Sequence, residues 1–345
     1  MTAKATPEAI RSIMRRPHIG PHKSPEKELN ILTFCAHERY QQSLCNAGHE
    51  FYSFDFTGKL WDEDYGKIPD NYHPVQNIPT YIDFDLIFWH LAGDINVAKK
   101  IRDDLNIPIV LIVHTLPNIN IDVPQQIKWF GELSHDIDKV VFISDFNRAV
   151  WGCSESNATY VEHGIDCDFW CDHEEQPRDN VCLSVVNDWP NRDWCCGWEL
   201  WKDTIGAGTA DQLPVRVFGK SPGFSEPAES IEHLRQMYHS ARIFYNTSLH
   251  SPVPTVLMEA MACGCAVVST ETCMIPEIIK HGENGLISND PQQLKKHLDT
   301  LLKDEEMAAE LGKNAQKTIQ EQYSLPSFVD NWNNLFYSAI REYKE

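Results

Sequence analysis

The chain has 345 residues, a length that suits two domains of ordinary size, each with its own core. It carries 50 Asp and Glu against 30 Lys and Arg, a formal net charge of −20. An acidic body disfavours a nucleic-acid partner, because a broad nucleic-acid interface needs many phosphate contacts from a basic face. Residues 1–28 differ, with six Lys or Arg and three Asp or Glu. We expect this segment to be a flexible basic arm, and it leaves a local nucleic-acid contact open.

Cellular location is indicated by hydropathy and by cysteine usage. No apolar run approaches the roughly 18 residues that a membrane-spanning helix needs. The N-terminal sequence lacks the apolar core of a signal peptide. The 11 cysteines are an odd number at irregular spacings, and several lie in apolar runs. Reduced, buried thiols fit this pattern better than a disulfide framework. The sequence therefore predicts a cytoplasmic protein without a membrane span.

The first half alternates strand-like and helix-like segments. Apolar runs typical of buried parallel strands lie at 29–36, 48–54, 83–91, 107–115, 139–146 and 158–166. Polar segments with helical character lie between them, at 37–48, 92–106 and 146–152. Strands that alternate with helices imply a parallel, doubly wound sheet, so the fold class is α/β.

The second half repeats this order. Strands are predicted at 180–188, 214–219, 242–248 and 266–270, and helices at 198–206, 228–241, two within 290–323, and 325–343. Asp290 can cap the first of the two tail helices, with Pro291 in its first turn. The acidic, irregular stretch near 165–180 is typical of an interdomain linker. We expect a first domain at 29–168, a second at 169–324 and a terminal helix at 325–345.

Residues 251–265 read SPVPTVLMEAMACGC and are the most informative stretch. A loop with two prolines enters a short apolar helix, and a buried strand follows. Glu259 is the only charged residue of this stretch. A carboxylate in apolar surroundings costs several kcal/mol unless it is hydrogen-bonded. A polyhydroxyl ligand such as a ribose would supply two donors.

The same stretch resembles the donor-site signature of the family-4-type retaining glycosyltransferases, a part of glycosyl transferases group 1 with the GT-B fold. That signature has two glutamates eight positions apart, then EAMACG, a strand, and a later PE-I…G-x-x-G-L. The chain supplies MEAMACGCAVVST and IPEIIKHGENGLIS. The resemblance implies two Rossmann-like domains that face a cleft, with a C-terminal helix that crosses back to the first domain. It also implies retaining transfer from a nucleotide sugar, with UDP- or GDP-sugars preferred, to an unidentified acceptor, without a further cofactor or a dedicated metal.

The resemblance implies a donor site around Glu259, which would bind the ribose hydroxyls. Helix N-termini bind anions, so the loop before this helix suits the diphosphate. Two of its residues, Pro252 and Pro254, lack an N–H group. The amides of Val253, Thr255 and Val256 remain as donors, and Pro254 stiffens the loop.

Ser251 occupies the place of the family's first glutamate, which contacts the transferred sugar. Serine is shorter and neutral. Contact through water, a sugar with another hydroxyl pattern, and lost activity are all open at this point.

The departing diphosphate gains negative charge and needs fixed cations. The family uses an Arg and a Lys in the first turn of the second domain, in a pattern that ends KG. Here the corresponding turn reads NDWPNRDWCCGWELW, and Cys196 occupies the lysine position. Arg192 lies within the turn, and Lys220 follows Gly219 at the end of the strand VFGK. Both are candidate partners of the diphosphate, and both also fit an ordinary surface charge.

Candidate acceptor-side residues lie in the first domain, where strands end. His114 ends the strand IPIVLIVHT, and the resemblance places a histidine there near the reacting sugar. His90 ends the neighbouring strand. The loop CAHERYQ has no glycine, so close backbone approach to a phosphate is not expected. His37, Glu38 and Tyr40 instead offer side chains to the acceptor.

Two other patterns in the sequence bear on ligand binding. His163, Cys167, Cys171 and His173 suggest zinc, but their spacings match no common zinc module, so no metal is predicted. Four tryptophans cluster at the start of the second domain. The spacings of Trp194, Trp198 and Trp201 predict one packed helix face. Trp189 is a candidate for stacking on a base or a sugar.

Three alternatives to a conventional glycosyltransferase remain. A phosphate-releasing sugar epimerase would need cleft carboxylates, and the first-domain strand ends offer histidines. A degenerate, non-catalytic nucleotide-sugar-binding protein is favoured by Ser251 and Cys196. A glycosyltransferase acting on modified DNA bases has only the basic arm in its favour.

Overall fold

The computed structural model describes residues 28–34, 37–54, 61, 67–91, 94–154, 156–171 and 177–345. Two compact units make up the chain: residues 1–162 with 326–345, and residues 163–325. The basic arm predicted at 1–28 lies, except for Glu28, outside the described residues.

The first unit contains a parallel sheet of seven strands. They are β1 (Asn30–Phe34), β2 (Glu50–Phe54), β3 (Tyr72–Val75), β4 (Leu86–His90), β5 (Ile109–Val113), β6 (Lys139–Phe142) and β7 (Ala158–Tyr160). Their order is β3-β2-β1-β4-β5-β6-β7. Every residue of β4 and β5 is buried, as expected of central strands in a doubly wound sheet.

Four helices of this unit follow its strands: α1 (Glu38–Cys45), α2 (Ile95–Leu105), α3 (Val123–Ser134) and α4 (Asp145–Val150). The Asp94 side chain caps α2 by accepting from the Asn96 N–H at 3.0 Å. The helix ends at Asn106 in a left-handed conformation with φ of 54°. Capping residues in the sequence thus define both ends of α2.

The second unit contains a parallel sheet of five strands. They are β8 (Asp179–Val185), β9 (Val215–Phe218), β10 (Ala241–Asn246), β11 (Ala266–Ser269) and β12 (Leu286–Ile287), in the order β12-β11-β10-β8-β9. Its described helices are α5 (Cys167–Trp170), α6 (Asp193–Cys196), α7 (Trp198–Ile205), α8 (Ile231–Ser240), α9 (Thr255–Ala262), α10 (Ile275–Ile278), α11 (Pro291–Lys303) and α12 (Glu305–Gln322). Asp290 caps α11 through the Gln292 N–H at 2.9 Å, which confirms the predicted helix start.

The C-terminal helix α13 (Leu325–Lys344) returns to the first unit. Its Trp332 indole N–H donates to the Tyr40 hydroxyl at 3.0 Å. The rings of Phe336 and Phe88 lie 5.8 Å apart. Buried aromatic contacts of this kind supply much of the apolar area that holds a terminal helix in place. The predicted crossing of the last helix back to the first domain is confirmed.

The elements that were not predicted include the short helices α5 and α10, the helix α3, and the strands β3 and β12. β3 contains Pro74, which is tolerated because the strand lies at the edge of the sheet. α3 buries only Phe130, Leu133 and Ser134, so its apolar periodicity is weak. β12 has only two residues. None of the helices in the described ranges combines the length and the apolar character that a membrane crossing requires.

Candidate functional site

Each sheet reverses its strand order at one point. In the second unit β8 and β10 are neighbours although β9 lies between them in sequence, and in the first unit the same holds for β1 and β4. Ligands of open α/β sheets bind outside the carboxyl ends of the strands at such points. The predicted site residues fall into two groups that follow these strands, one in each unit.

In the second unit, the N-terminus of α9 lies in the segment that follows β10. No side chain caps it, because its N-cap residue is Pro254. The N-terminus of a helix carries a partial positive charge and unsatisfied N–H groups. Val253 is buried, whereas Ser251, Thr255 and Val256 are half-buried. This helix end therefore offers amide donors that an anion can reach.

Glu259 lies in the second turn of α9 and is 1% exposed. Its carboxylate accepts a hydrogen bond from the hydroxyl of Tyr238 at 3.2 Å, and Tyr238 in α8 is fully buried. The partner that a buried carboxylate needs is thus provided by the protein. Direct contact between Glu259 and a ribose requires a change in the packing around this pair.

Hydrogen bonds to a backbone carbonyl link the turn after β8 to the turn after β10. The carbonyl of Cys196 accepts from the Trp189 indole at 2.9 Å and from the Thr247 hydroxyl at 2.8 Å. Gly197 has a φ of 65°, and a Cβ there would lie 2.3 Å from the Thr247 carbonyl oxygen. Glycine is therefore required at this close approach.

The thiol of Cys196 supplies no charge to this region. Burial raises the pKa of the thiol to about 12, with a smaller opposing effect from Arg192. The thiol is neutral at physiological pH, so it does not supply the positive charge that the resemblance led us to expect at this position.

The two candidate cations are both exposed. The Nη1 atom of Arg192 lies 3.4 Å from the carbonyl oxygen of Asn187. The N–H of Lys220 donates to the Asn187 side chain at 2.8 Å, so the backbone of Lys220 lies beside the end of β8. Gly219 has a φ of 125°, and a Cβ there would lie 2.1 Å from the Val186 carbonyl oxygen. Gly219 thereby allows the ends of β8 and β9 to approach each other.

The structure corrects two expectations about tryptophans. Trp189 is fully buried and donates to the Cys196 carbonyl, so its ring is not presented to a base or a sugar. Trp194 does not share a helix with Trp198 and Trp201, because the left-handed Gly197 ends α6 and α7 begins after it. Trp194 is 41% exposed, whereas Trp201 is buried.

In the first unit, three predicted histidines form one cluster. The Nδ1 atom of His90 and the Nε2 atom of His114 are 3.1 Å apart. The ring of His37, which precedes α1, lies 4.6 Å from the ring of His114. His90 is 1% exposed, His114 is half-buried and His37 is exposed. Burial lowers the pKa of His90 to about 3, and His37 adds to this effect, so His90 is neutral at physiological pH.

The other two acceptor-side candidates are placed differently. Tyr40 is buried, its ring contacts His114 edge-on at 4.5 Å, and its hydroxyl is engaged by Trp332. Burial raises the pKa of Tyr40 well above its usual range. Glu38 is half-buried in the first turn of α1. Residues 35 and 36 of the same loop lie outside the described residues.

The described part of the chain contains no group of three or more His, Cys, Asp or Glu side chains that could hold a metal. Of the four residues considered for zinc, Cys167 and Cys171 bound the short helix α5, while His173 lies outside the described ranges.

Sequence reasoning missed two residues that shape the α9 region. Tyr238 satisfies Glu259 but lies 21 positions earlier, and no spacing rule connects them. Arg178 donates to the Cys263 carbonyl at the end of α9 at 2.6 Å and to the Ala241 carbonyl at 2.9 Å. A cation at a helix C-terminus is favourable. Arg178 lies in the stretch predicted as a linker, and nothing in its sequence context indicates this role.

Comparison with known sequences shows a family match in the second unit. Residues 227–318, which include α8, α9 and Glu259, match the family described as glycosyl transferases group 1. The N-acetyl-alpha-D-glucosaminyl L-malate synthase of Bacillus anthracis is 34% identical over 91 residues, which are 26% of this chain and 24% of that protein. The alpha-maltose-1-phosphate synthase of Mycolicibacterium smegmatis is 30% identical over 99 residues, 26% of each chain. The chain thus matches about a quarter of the length of these relatives.

Comparison with solved structures extends over nearly the whole chain. Anabaena HepE in complex with UDP has a TM-score of 0.71 at 14% identity, covering 90% of this chain and 100% of that one. Sucrose-phosphate synthase from Thermosynechococcus elongatus also gives 0.71, at 15% identity, covering 91% and 100%. Likeness at this identity shows the fold, which is GT-B. The chain therefore has the GT-B fold, and its residues 227–318 carry a segment that matches the glycosyl transferases group 1.

Proposed function

We propose that the protein is a retaining glycosyltransferase that moves a sugar from a nucleotide-diphosphate sugar to an acceptor. The observation that carries this proposal is the uncapped N-terminus of α9 with Glu259 in its second turn, inside the segment that matches the family. An anion site beside a buried carboxylate suits the diphosphate and the ribose of one donor molecule.

UDP is the nucleotide we propose first. Anabaena HepE, whose fold is shared, has been solved with UDP and with UDP-glucose. In this chain the diphosphate would accept from the amides of Val253, Thr255 and Val256. The ribose hydroxyls would reach Glu259 once the packing around Tyr238 changes, since the hydroxyl of Tyr238 holds the carboxylate in the free protein.

The charge of the leaving diphosphate would be met by Arg192 or Lys220. Both are exposed and follow the strands β8 and β9 at their carboxyl ends. The neutral thiol of Cys196 supplies no charge. Guanidinium and ammonium groups stabilise a departing phosphate because charge develops on its oxygens in the transition state.

The acceptor would bind at the histidine cluster of the first unit. In retaining transfer without a protein nucleophile, the departing phosphate takes the proton of the acceptor hydroxyl on the same face of the sugar. No protein nucleophile is then needed beside the reacting carbon, which agrees with the neutral side chain of Ser251. The proposal includes no further cofactor, and the ten described cysteines, all thiols, support a cytoplasmic location.

A thermal-shift and calorimetry panel of UDP, GDP, ADP and CDP tests the donor site. A ligand at a hundred times its Kd stabilises the folded state by about 2.7 kcal/mol. We expect a selective response to UDP that is weakened in Glu259→Gln, a change that keeps the volume and an acceptor for Tyr238. Glu310→Gln on the exposed surface of α12 is the matched control. A flat panel for the folded protein contradicts the proposal.

A non-catalytic nucleotide-sugar-binding protein is the second candidate, favoured by the neutral side chains of Ser251 and Cys196. Turnover distinguishes the two. Release of UDP from UDP-glucose, with water or an added acceptor, supports the transferase. Binding of UDP-glucose without UDP release over long incubation, across a panel of hydroxyl acceptors, supports the binding protein.

A further inference from the structure

The pairing of β4 with β5 brings His90 and His114 together. His90 is opposite Ile112 in the parallel register, and His114 lies two residues beyond Ile112. Side chains two apart on a strand point to the same face of the sheet. The two imidazoles therefore share one face, with ring centroids 5.0 Å apart and ring planes inclined by 21°. His90 is the last residue of β4 and His114 the first residue after β5, so the contact lies at the carboxyl edge of the sheet.

The hydrogen bond between these rings has a preferred direction. One nitrogen must donate and the other must accept, because a neutral imidazole has a single N–H. His90 is 1% exposed, and its Nε2 atom has no hydrogen-bond partner among the described residues. A proton on that Nε2 would be a buried donor without an acceptor, which folded proteins rarely tolerate. With the proton on Nδ1, His90 donates to His114 and only an acceptor stays unsatisfied.

We propose that His90 is a positioning residue that donates from Nδ1 to Nε2 of His114 and thereby fixes His114 as its Nδ1–H tautomer. The Nε2 lone pair of His114 is then occupied by His90. His114 acts on the acceptor as a hydrogen-bond donor through Nδ1–H, directed at an acceptor oxygen, and not as a proton acceptor through Nε2. The role toward substrate rests on the proposed function, whereas the tautomer does not.

Nuclear magnetic resonance of the full chain, with heavy nitrogen in the histidine rings, tests the tautomer directly. Long-range proton–nitrogen correlations distinguish Nδ1–H from Nε2–H, and His114→Asn assigns the signals by their loss. We expect Nδ1–H at His114 in the wild type. An Nε2–H tautomer in the wild type overturns the proposal by itself, before any variant is considered.

Two substitutions at His90 sharpen the test. His90→Asn places an amide N–H close to the original Nδ1–H and should keep the His114 tautomer. His90→Leu removes the donor and should shift His114 toward Nε2–H, the form that free histidine prefers in water. His135→Leu, at an exposed histidine of the same unit, should change nothing. An unchanged His114 tautomer in a folded His90→Leu protein also overturns the proposal.

A kinetic comparison tests the role toward substrate. The amide N–H of Asn overlies Nδ1 of a histidine, and that of Gln overlies Nε2. If His114 donates through Nδ1–H, UDP-glucose turnover should fall less in His114→Asn than in His114→Gln, mainly in kcat. The reverse order contradicts the proposed donor role. Failure of the wild type to bind UDP would instead contradict the proposed function and leave the tautomer result standing.

Discussion

The hydroxyl of Tyr238 donates to Oε2 of Glu259 at 3.2 Å, and neither side chain is more than 1% exposed. The bond joins α8 to α9, the helices before and after β10. It supplies a hydrogen bond to a buried carboxylate that lies between Met258 and Ala260 in the sequence of α9. Glu259, which we propose binds the ribose, therefore also contributes to the packing of the ligand-free protein.

Removing the hydroxyl of Tyr238 should destabilise the fold. Tyr238→Phe leaves the Glu259 carboxylate without this donor, and a buried acceptor that loses its partner costs about 1–3 kcal/mol. Urea denaturation should show a lower midpoint with an unchanged slope. Tyr160→Phe, at an exposed ring, is the control and should stay within about 0.5 kcal/mol of wild type. A Tyr238→Phe protein as stable as this control would show that the bond contributes little.

Two glycines with similar backbone conformations allow the cost of a left-handed backbone to be measured separately from the cost of a steric clash. Gly197 and Gly208 have φ of 65° and 75°, but only Gly197 has a close neighbour, the Thr247 carbonyl. Gly208→Ala should cost about 1–2 kcal/mol for the left-handed backbone alone. Gly197→Ala should cost about 1–3 kcal/mol more, because the turn after β8 must move. Equal losses in thermal or urea denaturation would contradict the close approach at Thr247.

Much of the fold was predictable because its determinants are local. Alternating apolar and polar segments indicated most strands of both sheets and most helices. Asp290 followed by Pro291 marked the start of α11, since capping depends on neighbouring residues. The segment around Glu259 was recognisable for the same reason, as loop, helix and strand are contiguous in sequence.

The contacts that arrange the site were not predictable, because they depend on register and on distant packing. The hydrogen bond between Tyr238 and Glu259 and the anchoring of Cys196 to Thr247 join separate segments. The burial of Trp189 was also not predictable, since an aromatic residue next to a turn can either pack in the core or stack on a ligand. Only the structure shows that the indole N–H of Trp189 donates to the backbone carbonyl of Cys196.

Arg192 should contribute to UDP binding through charge. Arg192→Gln should raise the Kd for UDP by about 5- to 30-fold, or about 1–2 kcal/mol, at low ionic strength. The difference should shrink in high salt, because an exposed guanidinium is screened. Calorimetry at two salt concentrations measures both effects, with Lys317→Gln on α12 as an exposed control. An unchanged Kd in Arg192→Gln would show that Arg192 does not contact the diphosphate. Lys220 would then be the remaining candidate, and Lys220→Gln is measured in parallel.

His90 should make the stability of the fold depend on pH in the mildly acidic range. Its pKa is about 3 in the folded chain, against an ordinary value of 6.5. The unfolded chain therefore takes up this proton first as pH falls, and the free energy of unfolding decreases. Between about pH 7 and about pH 5 this single group should remove about 2 kcal/mol. Urea denaturation at the two pH values should show His90→Asn losing less stability than wild type by that amount, whereas His135→Asn should lose as much as wild type. Equal losses in all three proteins would contradict a buried, neutral His90.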